Sequence, residues 1–365
     1  MGKRYVSFLL AVGLAVALAS TGCATNWGSV FDGTGRAEAL AKPAPAANIT
    51  AVRALDVPGT APIQFPFKDL QKSGSNPILT PEPASTNFES NGTFNPAVVL
   101  NGDKFMMLYR AQDRHAVSTV GLAESSDGIH FKKRPEPVIV PTDPSEKNGV
   151  EDPRVVNIDG TFYVTYTAWD GDHTPSCLAR SKDLIHWEKL GPILPAKSTA
   201  ILNVKVNGEY WAYFGDTNIW AAHSADMIHW TKVEQPVLQP RGGDWDDSLV
   251  ESGPPPIMTK AGILLIYNGN LSQGRAEELG RQKGRGQERE YRTAWALFDK
   301  QDPTKLIARA SEPFLNITES WEVFGQVGDV VFTEGLVVKG GKAYLYYGGA
   351  DTTVNVAIGT PAWEN

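Results

Sequence analysis

The chain has little sulfur, few histidines and no second long apolar run. It contains 2 cysteines and 6 histidines in 365 residues. Cys23 lies near the start, which leaves Cys177 without an internal partner, so no disulfide is expected to hold the fold. No Cys/His spacing suggests zinc, no motif calls for a cofactor or metal, and Cys177 is expected to be buried and inert. After the first 22 residues no stretch is long and apolar enough to cross a bilayer. Positive charge is also short: the formal net charge is −7, and loss of Lys3 and Arg4 with a leader takes it to −9. An acidic surface without a basic stripe argues against nucleic acid as a partner. Helical periodicity is scarce, and 25 prolines speak against long helices.

What is present begins with an export signal. Lys3 and Arg4 precede the apolar run Val6 to Ala19, and small residues lead to Gly22-Cys23. Gly before Cys23 resembles a bacterial lipobox, although Ser20 stands where a Leu is usual. Residues 1–22 therefore read as a lipoprotein-type leader, with Cys23 as the lipidated residue of a periplasmic or cell-surface protein. The lipid would be its sole membrane contact. Residues 23–60, rich in Ala, Pro, Gly and Thr, read as a tether. Residues 61–365 are left as one domain, long enough for a real core.

That domain repeats. Five segments close a hydrophobic strand with an aromatic, at Tyr109, Tyr166, Phe214, Tyr267 and Tyr347. Fourteen residues before the first four stand Asn95, Asp152, Ala200 and Gly253, and the fifth opens at Thr333-Glu334. The aromatic end points are 57, 48, 53 and 80 residues apart, near the period of propeller blades. A second repeat, S-x-D-x-I-H-aromatic, occurs at Ser125 to Phe131, Ser181 to Trp187 and Ser224 to Trp230. Its Ser and Asp can bond nearby backbone amides to fix a turn, so the three histidines read as turn residues rather than catalysts. The expected fold is all-β, a five-bladed β-propeller. Leu271 to Glu290, with Arg275, Arg281, Arg285 and Arg289 among matching acids, reads as a solvated loop able to overhang the channel.

In a propeller the first strand of each blade lines the axis, which would bring Asn95, Asp152, Glu251 and Glu334 into one funnel. Several carboxylates around a concave site are what glycosidic cleavage needs, and crowding would spread their pKa values. Any one of them could instead bond backbone amides at a strand end. Trp169, Trp211, Trp220, Trp245 and Tyr291 could pack on sugar faces, although each taken singly is more often blade core.

The blocks Phe94-Asn95-Pro96-Ala97, Leu108-Tyr109-Arg110-Ala111, Gly149-Val150-Glu151-Asp152-Pro153-Arg154, Gly253-Pro254-Pro255-Pro256 and Tyr346-Tyr347-Gly348-Gly349-Ala350-Asp351 resemble glycoside hydrolase family 130. The resemblance covers about residues 75 to 360, and G-V-E-D-P-R is its most specific block. It implies a five-bladed propeller acting on β-mannosides, with an oligosaccharide as partner. It also implies that Asp152 is the general acid, working through a hydroxyl of the bound mannose. Asn95, Arg110, Asp113, Glu151, Arg154, Lys197 and Asp351 match motif positions around the mannosyl unit.

The family divides between phosphorylases and hydrolases. Phosphorolysis needs cations that hold phosphate, whereas hydrolysis needs a carboxylate base for water. Glu251 in Leu249 to Pro255 and Glu334 in Val331 to Val337 look like the paired glutamates of the family's mannosidase branch. The expectation is therefore an inverting hydrolase of terminal β-mannosides, β-1,2-linked, with Asp152 as acid and Glu251 and Glu334 activating water. Rival readings are a β-mannoside phosphorylase, a non-catalytic glycan-binding propeller, and a propeller glycosidase acting on arabinosides or xylosides.

Overall fold

Period-two apolar patterning punctuated by Gly-containing turns gives this chain strands and little else. The computed structural model describes residues 66–83, 87–272 and 289–363. The leader, Cys23, the tether and residues 273–288 of the Arg/Glu-rich segment lie outside the described residues. Among the described residues the one α-helix is a single turn, α1 (Ser320–Val323), and no helix is long and apolar enough to cross a membrane.

After β1 (Phe67–Lys72) the strands fall into five runs. The first holds β2 (Gly92–Asn101), β3 (Lys104–Gln112), β4 (Ser118–Ser125) and β5 (Lys132–Lys133). The second holds β6 (Gly149–Ile158), β7 (Thr161–Trp169), β8 (Ser176–Ser181) and β9 (Glu188–Leu194). The third holds β10 (Ala200–Ile201), β11 (Tyr210–Phe214), β12 (Trp220–Ser224) and β13 (Thr231–Lys232). The fourth holds β14 (Leu249–Ser252), β15 (Ile257–Met258), β16 (Ile263–Ser272), β17 (Arg289–Phe298) and β18 (Leu306–Arg309). The fifth holds β19 (Val331–Lys339), β20 (Lys342–Gly349) and β21 (Thr353–Pro361).

Each run is an antiparallel meander, and the first two are joined by one parallel pairing, Ser118 with Gly149. The fifth run borrows β1 as its outermost strand, so the first strand in sequence pairs with the last. Asp159-Gly160, Asn207-Gly208 and Gly340-Gly341 link first and second strands, both residues of each pair at positive φ, as a two-residue hairpin requires.

The S-x-D corners have one geometry three times. In each, the Ser hydroxyl accepts the backbone N–H groups two and three residues on, and the Asp carboxylate accepts the next two and the His Nδ1. The fourth residue of each corner is left-handed: Gly128, Leu184 and Met227 at φ 78, 66 and 72°. Leu184 and Met227 are buried there, so packing holds a conformation that large side chains disfavour. The three histidines are exposed and occupied by their turns, as their shared motif predicts.

Apolar clusters connect each run to the next. Met106 and Val120 of the first pack with Val164 and Tyr166 of the second. Val156 and Leu178 of the second meet Ile201 and Ala212 of the third. Tyr213 and Ile219 of the third share a cluster with Leu265 of the fourth and Val331 of the fifth. Tyr346 and Val354 of the fifth return to Phe105 and Tyr109 of the first.

Four runs also share a buried clamp. Glu89 accepts the Tyr109 hydroxyl at 2.8 Å and pairs with Lys133 at 2.8 Å. Glu146 does the same with Tyr166 at 2.8 Å and Lys189 at 2.6 Å. Asp246 takes Tyr267 at 2.9 Å and Arg309 at 2.5 Å, and Glu322 takes Tyr347 at 2.9 Å and Lys72 at 2.6 Å. In every case the acid precedes the first strand of its run, the tyrosine lies on the next long strand, and the cation lies on the outermost strand. The third run has no such set: Leu194, Phe214 and Ala222 form an apolar cluster instead. A buried ion pair and a well-packed apolar set are near-equivalent solutions to one packing problem.

Candidate active site

Three first strands bulge where the acidic motif falls. β2 carries Asn95 as an extra residue, β6 carries Asp152 with Pro153, and β19 carries Glu334. A bulge takes its residue out of the ladder and re-aims the side chain. Asn95 and Asp152 do this at φ 48 and 50°, and Asn and Asp are the side chains that tolerate the left-handed region best.

The re-aimed groups meet. Asn95 Nδ2 donates to Asp152 Oδ1 at 2.7 Å. Arg110 of β3 sends Nη1 to the same oxygen at 3.1 Å and Nη2 to Glu151 Oε1 at 2.6 Å. Ser118 locks that arm, accepting from Arg110 Nε at 3.0 Å and donating to Glu151 at 3.1 Å. The Phe94 ring lies under the guanidinium, 4.8 Å away. On the opposite side Lys197 Nζ is 3.1 Å from Glu251 Oε1, which also accepts from the Ser198 hydroxyl.

Arg154 is committed elsewhere. It donates to the carbonyls of Gly253 at 2.9 Å, Ser252 at 2.8 Å and Asp152 at 3.2 Å, tying β6 to β14. Glu334 lies 2.9 Å from Arg154 Nη2 but off the line of its N–H, which goes to Ser252, so both Glu334 oxygens lack a hydrogen bond from the protein.

Charge in this cluster is unevenly distributed. Burial would raise Asp152, but Arg110, Lys197, the Asn95 amide and Arg154 outweigh it and hold the carboxyl at about 2. Burial, aided by the Asp152 charge, pushes Glu151 up despite Arg110. Burial drives Glu334, wholly enclosed, well above the carboxylate range. Burial also lifts Asp351 to about 7, with Asp152 and Glu251 adding to the rise and Arg110 and Lys197 opposing it. One acid is thus held down while Glu151, Glu334 and Asp351 are pushed up, a separation that acid–base chemistry uses.

Asn95, Arg110, Glu151, Asp152, Lys197, Glu251, Glu334 and Asp351 are therefore within mutual electrostatic reach. Asp113 is not drawn in: its carboxylate accepts the His115 and Val117 amides and fixes the β3–β4 turn. Arg154 orders strands rather than facing a ligand. Of the aromatics, Trp245 stacks on Tyr267 in the core, Trp211 packs on His223, and Trp220 lies under Lys232. Tyr291 lies within electrostatic reach of Lys197, and it meets Phe332 edge-on. Cys177 is buried and its thiol is pushed up to about 11 by that burial, in keeping with an inert role. Sequence reasoning missed Ser118 and Ser198, which orient Glu151 and Glu251; the adjacency of Ser198 to Lys197 just ahead of a strand was the available signal. Among the described residues no group of His, Cys, Asp and Glu could hold a metal ion.

Comparison with known proteins bears on this cluster. Residues 71–362 match the family model for glycoside hydrolase family 130, described as β-1,4-mannooligosaccharide phosphorylase. A 1,2-β-oligomannan phosphorylase of Thermoanaerobacter sp. is 37% identical over 302 residues, 79% of this chain and 96% of the relative. A β-1,2-mannobiose phosphorylase from the same organism is 34% identical over 308 residues, 79% of this chain and 96% of the relative. A solved structure, 34% identical with a TM-score of 0.73, covers 86% of this chain and 100% of its own. It is described as belonging to a family of mannoside phosphorylases that contains glycoside hydrolases targeting β-1,2 mannosidic linkages in Candida mannan.

The named relatives overturn the expectation of hydrolysis, because they are phosphorylases. The geometry supplies a physical reason for the correction. Glu334 is enclosed, with burial pushing its pKa up, and Glu251 is held by Lys197 and Ser198, an arrangement that does not favour the pair as a base for water.

Proposed function

This chain belongs to glycoside hydrolase family 130, and from that premise we propose that it cleaves terminal β-mannosides, β-1,2-linked, by phosphorolysis. The observation that carries the reading is the similarity to phosphorylases along almost their whole length, combined with two solvent-reaching cations beside Asp152. Arg110 and Lys197 keep 15% and 26% of their side-chain surface exposed, whereas Arg154 keeps 1%.

Phosphate attacks C1 of the mannosyl unit from the face opposite the leaving sugar. The new C1–O bond forms as the glycosidic bond breaks, and the configuration inverts. Asp152 supplies the proton that the departing oxygen takes up, passed through a mannose hydroxyl. In the free protein Asp152 is ionised by its cationic neighbours. Phosphate beside Arg110 and Lys197 offsets their charge, so arrival of the nucleophile raises the acid's pKa and lets it hold a proton. Asn95, Glu151 and Asp351 orient the sugar and the acid, while Glu251 keeps Lys197 in position.

The succession of packed runs and the borrowed outer strand support a five-bladed propeller. The leader of residues 1–22, just ahead of Cys23, supports export with a lipid anchor; metabolic labelling with palmitate, absent in Cys23→Ser, tests it.

The central test is incubation with β-1,2-mannobiose with and without inorganic phosphate. Mannose 1-phosphate is expected with phosphate and no turnover without it. Free mannose released at an undiminished rate in phosphate-free buffer would sink the proposal.

A further inference from the structure

Among the described residues Phe324 is the most exposed large apolar side chain, with 74% of its surface free, and Val327, three residues on, is also exposed at 37%. Both stand on the segment that follows α1, and that segment is fastened to the candidate site. Gln326 donates from its side chain to the Asp351 carbonyl at 2.7 Å and from its backbone to Thr352 Oγ1 at 2.9 Å. The Val327 amide bonds the Ala350 carbonyl at 3.3 Å. Asn91 donates to Gln326 Oε1 at 2.8 Å and to Gln112 Oε1 at 2.8 Å, fastening the segment to the first run as well. Gly325 makes the approach possible, since any Cβ there would collide with the Ala350 carbonyl and Thr352 Oγ1.

The strap thus lies across Ala350 and Asp351, two successive left-handed residues at φ 46 and 48°. Asp351 is a member of the charged cluster around Asp152. A large aromatic on a segment pinned so closely to the site is a pre-positioned apolar ring left to water. The sugar to be transferred must reach the buried carboxylates, so the rest of the glycan leaves through the opening, past its rim. A pyranose offers an apolar C–H face that packs on an aromatic ring.

Resting on the mannoside reading above, we propose that Phe324, with Val327 on the same segment, is a platform for a mannosyl unit beyond the first leaving sugar. The strap then makes this chain select oligomannosides over the disaccharide.

Calorimetric binding of β-1,2-mannobiose and β-1,2-mannotriose in phosphate-free buffer tests this without turnover. The wild type should bind the trisaccharide more tightly. Phe324→Ala should weaken the trisaccharide roughly fivefold to tenfold, the size of one stacking contact, and leave the disaccharide nearly unchanged. Phe324→Tyr should keep the preference, and Gly325→Ala, which displaces the strap, should lose it as Phe324→Ala does. Equal affinities in the wild type, or an equal change for both sugars in Phe324→Ala, overturns the platform. So does light scattering that shows a wild-type dimer dissociating in Phe324→Ala, since a second copy would then cover the ring. Failure to form mannose 1-phosphate bears on the reaction alone and leaves this binding result standing.

Discussion

Asn95 and Asp152 occupy one repeat position on two neighbouring strands, and the amide of the first donates a 2.7 Å hydrogen bond to the carboxylate of the second. Both are bulged, left-handed and followed by proline. The repeat has produced an acid and its own supporting donor from equivalent places. The donor stabilises the ionised form, so it helps to set when Asp152 can carry a proton.

Asp152→Asn keeps the amide-to-side-chain contact and the backbone preference but removes the acid. Phosphorolysis should fall by a factor on the order of 10²–10⁴, the usual worth of general acid catalysis. Mannotriose binding by calorimetry should survive. Retained turnover would remove Asp152 from the chemistry.

Lys197→Ala should raise the KM for phosphate by about tenfold or more, because a cation beside a phosphate oxygen is a strong charge-assisted contact. Initial rates at varied phosphate and saturating mannobiose give the answer. An unchanged phosphate KM with altered sugar KM would reassign Lys197 to the glycan.

Asp351 has a pKa raised to about 7, above the ordinary range near 3.9 for an unfolded chain. Its folded form binds the proton more tightly than the unfolded form. The stability it contributes is therefore complete below about pH 4 and is lost as pH rises through about 7. Asp152 runs the other way: held at about 2, it stabilises above pH 4 and loses that contribution as pH falls toward 2. Thermal melts of the wild type and Asp351→Asn from pH 4 to 8 should diverge across that window. Parallel curves would show that Asp351 has an ordinary pKa.

The clamps predict an asymmetry among the runs. Tyr166→Phe leaves Glu146 without one buried donor and should cost about 1 to 2 kcal/mol by urea denaturation. Combining it with Glu146→Leu and Lys189→Met, which imitates the apolar solution of the third run, should recover most of that loss. A triple variant no more stable than Tyr166→Phe would show that the two solutions are not interchangeable.

The repeat was legible because aromatic strand ends recur at readable intervals, and the offset of fourteen residues landed on the bulged Asn95 and Asp152 and beside Glu334. The same offset landed on Gly253 in the fourth run, two residues past Glu251, which sits in regular pairing with Asn268. Arg154 could not be assigned from its neighbours, since its hydrogen-bond partners Ser252 and Gly253 are 98 and 99 residues away. The clamp acids were hidden for a related reason: they lie in the loops and single helical turns ahead of the strands, with no periodicity to expose them. Asp113 matched a motif yet serves its own turn, because a short acid near free amides bonds them first. The choice between water and phosphate was least legible, because both reactions use the same acid and differ only in how a few side chains distribute charge.

The pairing of β1 with β21 has a consequence for biosynthesis. The strand that leaves the ribosome early has its partner in the residues made last, and Lys72 must wait for Glu322. Throughout translation that edge stays open to chance pairing with other chains, and release of the finished polypeptide is the moment at which it can close.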